Sequence, residues 1–191
     1  MRPELDDLNA LRGAVRTCTA CPELAATRTQ VVVGDTPVGA RLLLLGEAPG
    51  ATEDQTGRPF VGRSGALLDE LLADVGVDRA AVAVLNTVKC RPPGNRTPTR
   101  VESATCRPWT DRQLTLAAPA VIVALGLSAT RWLLGATSLR DARGRVHDTA
   151  YGPLIATYHP SAALRWGPGG APRRLLREDL ATAATMTAAL A

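Results

Sequence analysis

Apolar residues in this chain fall into two rhythms, short unbroken runs and stretches spaced three or four apart, and the two rhythms alternate. Residues 4–17 carry Leu5, Leu8, Leu11 and Val15 at helical spacing, which predicts an amphipathic helix. The run 41–45 ends in Gly46 and reads as a buried strand entering a loop that continues from Glu47 to about Gly62. Leu67, Leu68, Leu71 and Leu72 predict a helix over 64–75. The alternation repeats with a strand over 82–87, a loop over 89–98 with three prolines and Gly94, and a helix from Thr99 to about Leu116. Thr99 with Glu102 three positions on forms a capping-box pattern at the start of that helix. A third strand over 121–125 is followed by Gly126 and a helix over 128–134; a fourth, over 154–157, runs into Tyr158-His159-Pro160-Ser161. Residues 167–172 read as a short flexible patch, and 173–189 as a last helix.

Strands alternating with helices predict an α/β fold. The expected form is a single three-layer α/β/α domain over 1–191, with a central, mostly parallel four-stranded sheet. In open sheets of this kind ligands bind beyond the carboxyl ends of the strands. The polar segments Gly46-Glu-Ala-Pro-Gly50, Asn86 to Arg96 and Tyr158 to Ser161 each follow a strand, so they can converge on one crevice.

Composition narrows the function classes. Of 191 residues, 46% are apolar and 21% charged, ordinary for a soluble globular domain large enough to bury a substantial core. No run reaches the ~20 apolar residues of a membrane span. The acidic, amphipathic first residues do not resemble a secretory signal, so a cytoplasmic location is expected. Lys89 is the only lysine among 22 basic residues, and the net charge is +4. Arginine forks suit phosphate, and a GC-rich genome would give the same bias, so the charge permits a nucleic-acid partner without requiring one.

Cys18, Cys21, Cys90 and Cys106 are the four cysteines. In a reducing compartment such a set is more often a metal site than two disulfides. Cys18-x2-Cys21 is a single tight knuckle, whereas zinc sites of four thiolates usually use two. A cubane cluster spreads its ligands further and fits the dispersed Cys90 and Cys106 at least as well. Spacing leaves both metals open, with four buried free thiols as the plainest alternative; no redox-partner motif is visible, so any cluster is expected to be structural.

Alone, Gly-Glu-Ala-Pro-Gly is a glycine-rich turn that lets backbone N–H groups approach an anion or a base edge. It lacks both the spacing of a dinucleotide site and the Lys-Ser/Thr of a phosphate loop. In company it is more specific. Cys18-x2-Cys21, GEAPGATEDQTGRPFVGRSGALLDELL from Gly46, NTVKCRPPGNRTPT from Asn86, Cys106-Arg107-Pro108, ALG at 124–126 and YHPSAALR from Tyr158 occur in order along nearly the whole chain. Together they resemble the family 4 uracil-DNA glycosylases, the iron–sulfur branch of that superfamily.

The resemblance implies a monofunctional enzyme that flips uracil out of DNA, hydrolyses its glycosidic bond and leaves an abasic site, with the four cysteines holding a [4Fe-4S] cluster. Flipping requires a snug pocket. Phe60, which alone would read as a core aromatic, matches the ring that stacks on uracil. Asn86 matches the amide that reads the base, accepting from N3–H and donating to O4, a pattern cytosine reverses. His159 matches the donor to uracil O2, where charge collects as the base leaves; His147, in a polar turn, has no matching role. Glu47 matches the acid beside the attacking water, and is expected to serve there ahead of Glu53. Ala48, Glu53 and Asn95 also line the pocket in the family. Leu164 and Arg165 are candidates to fill the space the base vacates, and Arg91 and Arg96 to hold phosphates.

A related branch captures uracil covalently through a histidine in an inserted loop. Residues 92–99, Pro-Pro-Gly-Asn-Arg-Thr-Pro-Thr, have neither histidine nor insertion, so turnover is expected. Lys89 has no motif supporting a Schiff-base role. The expected partner is uracil-containing DNA, single- or double-stranded, bound by a monomer away from membranes. The alternative reading is a non-catalytic iron–sulfur protein that binds uracil-containing or single-stranded DNA; a third is a zinc-bound α/β protein unrelated to DNA.

Overall fold

A computed structural model of the chain describes residues 7–190. Leu5, and with it the start of the expected 4–17 helix, lies outside the described residues. What is described of that helix is α1 (Leu8–Arg16), capped by Asp7, whose side chain accepts from the backbone of Asn9 and Ala10. A short α2 (Pro22–Thr27) follows the first cysteine pair.

The sheet is built from β1 (Leu42–Gly46), β2 (Ala83–Asn86), β3 (Val121–Leu125), β4 (Val146–Thr149) and β5 (Gly152–Thr157), in the order β2-β1-β3-β5-β4. The first four of that order run parallel, with Gly46 beside Asn86 and Leu125 beside Thr157 at their carboxyl ends. β4 lies antiparallel on β5 at the edge. The sheet therefore has five strands where four were expected. Val146-His-Asp-Thr149 alternates exposed and half-buried positions, has no apolar run, and gives no strand signal. His147, expected in a turn, sits in this edge strand and donates from Nε2 to the carbonyl of Ala142.

β1, β2 and β3 are buried along their whole length. That is the expected consequence of covering both faces of a parallel sheet. Leu42, Leu44, Val84 and Val123 pack under α4 (Arg63–Asp74), α8 (Pro160–Trp166) and α9 (Ala171–Ala189). Leu43, Leu45, Leu85 and Ile122 face α5 (Arg100–Ala117), α6 (Gly126–Leu134) and α7 (Leu139–Ala142). A third cluster joins Leu11, Val15, Leu24, Val31 and Val33 to Cys90 and Cys106, so the amino-terminal segment packs around the cysteines. The loop after β1 contains α3 (Ala51–Thr56), and the segment after His159, to which the sequence assigned no element, is helix α8. Thr99 and Glu102 form the expected capping box of α5. Among the described residues no helix is long and apolar enough to cross a membrane.

Candidate active site

A cleft of about 580 Å³ opens at the carboxyl ends of the parallel strands. Glu47, Ala48, Glu53, Phe60, Asn86, Asn95, His159 and Arg165 all line it, drawn from segments more than a hundred residues apart in the chain. The Phe60 and His159 rings lie 5.6 Å apart at an interplanar angle of 39°. Gly46 joins Phe60 to Asn86: a methyl group built on its α-carbon would lie 2.5 Å from Asn86 Oδ1 and 2.7 Å from Phe60 Cε2. An aromatic ring, an amide and an imidazole therefore meet at one place.

Asn86 ends β2 and is 2% exposed, and its Oδ1 is buried without a hydrogen-bond partner. Leaving a buried acceptor unpaired costs about 1–3 kcal/mol, so this oxygen is poised for a donor that enters the cleft. The backbone beneath it is fixed. Lys89 Nζ donates to the Asn86 carbonyl at 2.7 Å, and Thr110 Oγ1 donates to the Thr87 carbonyl at 3.2 Å. Burial lowers the Lys89 pKa to about 8, with the Cys106 and Cys90 sulfurs acting in the opposite direction. Lys89 does not line the cleft.

His159 caps α8. Its Nδ1 accepts from the Ser161 amide at 3.1 Å and lies 2.8 Å from Ser161 Oγ. An Nδ1 that accepts from a backbone N–H carries no proton, so the neutral ring bears its hydrogen on Nε2. Burial lowers the His159 pKa to about 4, against an opposing contribution from Glu53, and keeps the ring neutral near pH 7. Gly126, at φ +86°, leaves the room in which His159 packs; its missing Cβ would lie 3.0 Å from His159 Cβ.

The two glutamates differ in their commitments. Glu53 Oε1 accepts from the amides of Val61 and Gly62 at 2.9 and 2.7 Å, and Oε2 from Gly50 at 3.1 Å. The carboxylate thereby folds the 47–62 loop onto itself. The loop holds Phe60 at φ +52°, a left-handed conformation uncommon for any residue but glycine. Gly65 makes the fit possible, because a Cβ there would overlap the Phe60 carbonyl oxygen. Asp54, next to Glu53, is buried, and both of its oxygens accept from the Thr29 amide. Glu47 is tied through its main chain, its carbonyl accepting from Thr87 Oγ1 at 2.7 Å and Val88 N at 3.0 Å. Its carboxylate makes no hydrogen bond or ion pair among the described residues and faces the cleft.

The arginines divide the same way. Arg96 lines the cleft wall, but its guanidinium grips Glu102 with bonds of 2.7 and 2.8 Å and reaches Glu23 at 3.3 Å. That grip, helped by the Thr99 amide, holds the Glu102 carboxyl down at about 2. A phosphate would have to break the pair, so the expected phosphate role does not suit Arg96. Arg91 Nε donates to Asn95 Oδ1 at 2.7 Å and steadies the turn that brings Asn95, at φ +56°, to the rim. Leu164 and Arg165 are exposed on α8, one turn beyond His159.

On the other side of β2 the four cysteines line one narrow apolar pocket with Leu24, Val31 and Trp109. Three of the sulfurs receive N–H donors. Arg28 Nη1 donates to Cys90 at 3.0 Å, Trp109 Nε1 to Cys18 at 3.3 Å and the Lys89 amide to Cys106 at 3.4 Å. Burial pushes the Cys106 thiol up to about 11, partly offset by Lys89. Burial and the neighbouring Cys90 and Cys18 sulfurs raise that of Cys21. Among the described residues no three His, Cys, Asp or Glu side chains close around a single ion.

Residues 33–181 match the sequence model of the Uracil DNA glycosylase superfamily. The chain is 44% identical to the type-4 uracil-DNA glycosylase of Thermotoga maritima, over 94% of this chain and 93% of that one. It is 40% identical to the type-4 uracil-DNA glycosylase of Pyrobaculum aerophilum, over 83% and 85% of the two chains. A type-5 uracil-DNA glycosylase of Mycobacterium tuberculosis is 33% identical, over 81% of this chain and 72% of the other. The chain belongs to the uracil DNA glycosylase superfamily, in its type-4 branch.

Within this glycosylase fold, several residues of the site were not singled out by sequence reasoning. Ser161 sets the tautomer of His159, and its place in Tyr-His-Pro-Ser was the available signal. Gly46 and Gly126 each follow an apolar run, but a glycine there reads as a strand end, and the close approach it permits is visible only in three dimensions. Gly46→Ala should force a methyl group between Asn86 and Phe60, lowering uracil release by at least tenfold and, as overpacking of a buried site costs about 1–3 kcal/mol, lowering the melting temperature by several degrees. Steady-state release assays beside thermal melts of both proteins check this.

Proposed function

We propose that this chain is a monofunctional uracil-DNA glycosylase of base excision repair, acting in the cytoplasm as a monomer on uracil-containing DNA, single- or double-stranded. The observation that carries the reading is the buried, partnerless Asn86 Oδ1 beside the Phe60 ring and the His159 imidazole. A flipped pyrimidine stacked on Phe60 would present N3–H to that oxygen. Cytosine has an unprotonated N3 and would set two acceptors against each other, leaving both unpaired in a dry site.

Hydrolysis breaks the bond between N1 of the base and C1′ of the sugar. The electron pair leaves with the base, and its charge spreads onto O2. In this reading the His159 Nε2 hydrogen meets O2 and strengthens its bond as that charge develops, which stabilises the transition state more than the substrate. A neutral donor suffices. Water adds to C1′ from the opposite side, and its proton passes to an acceptor. Glu47 suits that role because its carboxylate is uncommitted and faces the cleft, whereas the Glu53 oxygens are taken by three backbone amides. Glu53 serves as a positioning residue for Phe60. Ala48, Asn95 and Arg165 line the cleft beside them, and Arg165, with Leu164 exposed before it on α8, suits the space left by the flipped base.

Cys18, Cys21, Cys90 and Cys106 are proposed to hold a [4Fe-4S] cluster. Four thiols in one apolar pocket, three of them receiving N–H groups, are the donor set such clusters take, with hydrogen bonds to sulfur tuning them. When bound, the cluster would cross-link the amino-terminal segment, the end of β2 and α5; no step of the hydrolysis passes through it.

Incubated with a uracil-containing oligonucleotide and then alkali, the protein should cut the strand at uracil without added divalent metal. Asn86→Ala and His159→Ala should each lose on the order of 100-fold or more, and full activity in both variants would refute the pocket assignment. Because the folded His159 pKa lies near 4 and the unfolded near ~6.5, the folded state binds fewer protons between these values. The neutral ring's contribution to stability is complete above about 6.5 and is lost as pH falls toward 4. Release rates should therefore show no acidic limb centred near ~6.5. Protein purified without oxygen should be brown and absorb near ~400 nm. Cys90→Ser should lose that band and melt at lower temperature; a colourless protein holding zinc would overturn the cluster.

A further inference from the structure

A second open cleft, of about 570 Å³, lies apart from the first and takes no part in the chemistry above. Its floor is the 31–35 segment, which bonds to the start of β2 through paired bonds between Asp35 and Val84 of 2.9 and 2.8 Å. Gly34, at φ +107°, packs so closely on Leu85 that no side chain fits there. Arg12, Arg16, Arg28 and Arg58 stand around it, and Asp35 is the acid among its lining residues.

The charges do not cancel. Asp35 is answered by Arg12 at 3.8 Å, and the same guanidinium donates to the Gly34 carbonyl at 3.2 Å. Arg28 is committed to Cys90 and to the Cys18 carbonyl. Arg16 and Arg58 are exposed, and their guanidinium groups have no hydrogen-bond or ion-pair partner among the described residues. A concave surface lined by one sign of charge focuses its field and collects the opposite ion, and arginine forks fit phosphate oxygens.

The position of this groove relates it to the first cleft. α3 separates the two: Gly50 and Glu53, at its start, line the cleft, while Thr56, Gly57 and Arg58, at its end, line the groove. Six residues of helix span about 9 Å, close to three base steps of about 3.4 Å along a strand. Arg58 is two residues from Phe60 in the chain, so the loop that carries the stacking ring also carries a free guanidinium into the groove.

We infer that this groove binds the phosphate backbone of the same DNA strand that delivers uracil to the cleft, with Arg16 and Arg58 as its contacts. The inference rests on the DNA-directed reading above and adds a second, sequence-independent contact to it. The groove would fix where the strand lies, and leave the chemistry to the cleft.

The test uses the full-length protein and fluorescence anisotropy with labelled single-stranded oligonucleotides containing one uracil. One of about 16 nucleotides is long enough to cross both clefts, and one of about 4 fills the first alone. The Arg16→Ala/Arg58→Ala double variant should bind the long strand more weakly, and its plot of log K against log salt should be shallower by about 1.4, the loss of two single-strand phosphate contacts. Affinity for the short strand and kcat should be unchanged. Lysine at both positions should restore most of the salt dependence. An unchanged slope and affinity for the long strand would overturn the groove, as would equal losses on both strands. Anisotropy reads binding alone, so a wild-type protein that binds but releases no uracil would refute the glycosylase reading and leave the groove to be judged separately.

Discussion

Glu53 gathers the amides of Gly50, Val61 and Gly62 onto one carboxylate, and the shape of the cleft follows from it. Those three donors belong to the two ends of a loop that would otherwise have no reason to close. Closure turns the chain through the left-handed conformation of Phe60 and lays its ring against Gly46 and the His159 imidazole. Such a backbone conformation persists only where its surroundings over-determine it. Here the carboxylate provides one constraint and the absence of a side chain at Gly65 the other.

The same economy runs through the rest of the site. Each polar group near the cleft either has its bonding capacity filled by the protein or is left open toward the space a base would occupy. Glu53, Arg91 and Arg96 are filled, and so organise loops. Asn86 Oδ1, the Glu47 carboxylate and the Nε2 hydrogen of His159 are open, and so can act on something that enters. Residue type alone does not make that distinction, since Glu53 is filled and Glu47 open on the same loop. The cysteine pocket shares a wall with this arrangement through Lys89. Its amide meets Cys106 while its ammonium holds the carbonyl of Asn86, so the strand end that carries Asn86 and the cysteine site are mechanically one piece.

Much of the fold was legible because the strands that form its centre are buried on both faces and must read as apolar runs; Leu42 to Leu45 leave no other interpretation. β4 was not legible, since an edge strand with one solvated side needs no apolar run and Val146-His-Asp-Thr149 has none. α3 was read as part of a loop, and α8 was given no element, for a related reason. They are short and held by tertiary contacts, so neither carries an apolar stripe long enough to announce a helix. At the site, Phe60, Asn86 and His159 could be matched by resemblance, but the pairing that ties Arg96, a candidate phosphate contact, to Glu102 could not be read, because it depends on how a turn and a helix start face each other.

The sequence by itself determined the alternation of strands and helices, and hence the end of the sheet at which polar loops collect. It also supplied the kinds of side chain available there. These follow from local periodicity and from the chain's order, which need no coordinates. Only the tertiary structure decided which of those side chains are spent on holding loops and which remain open, and that a second arginine-lined groove lies one short helix away. Hydrogen bonds and ion pairs between distant segments depend on distances of a few tenths of an ångström, and no spacing along a chain encodes those.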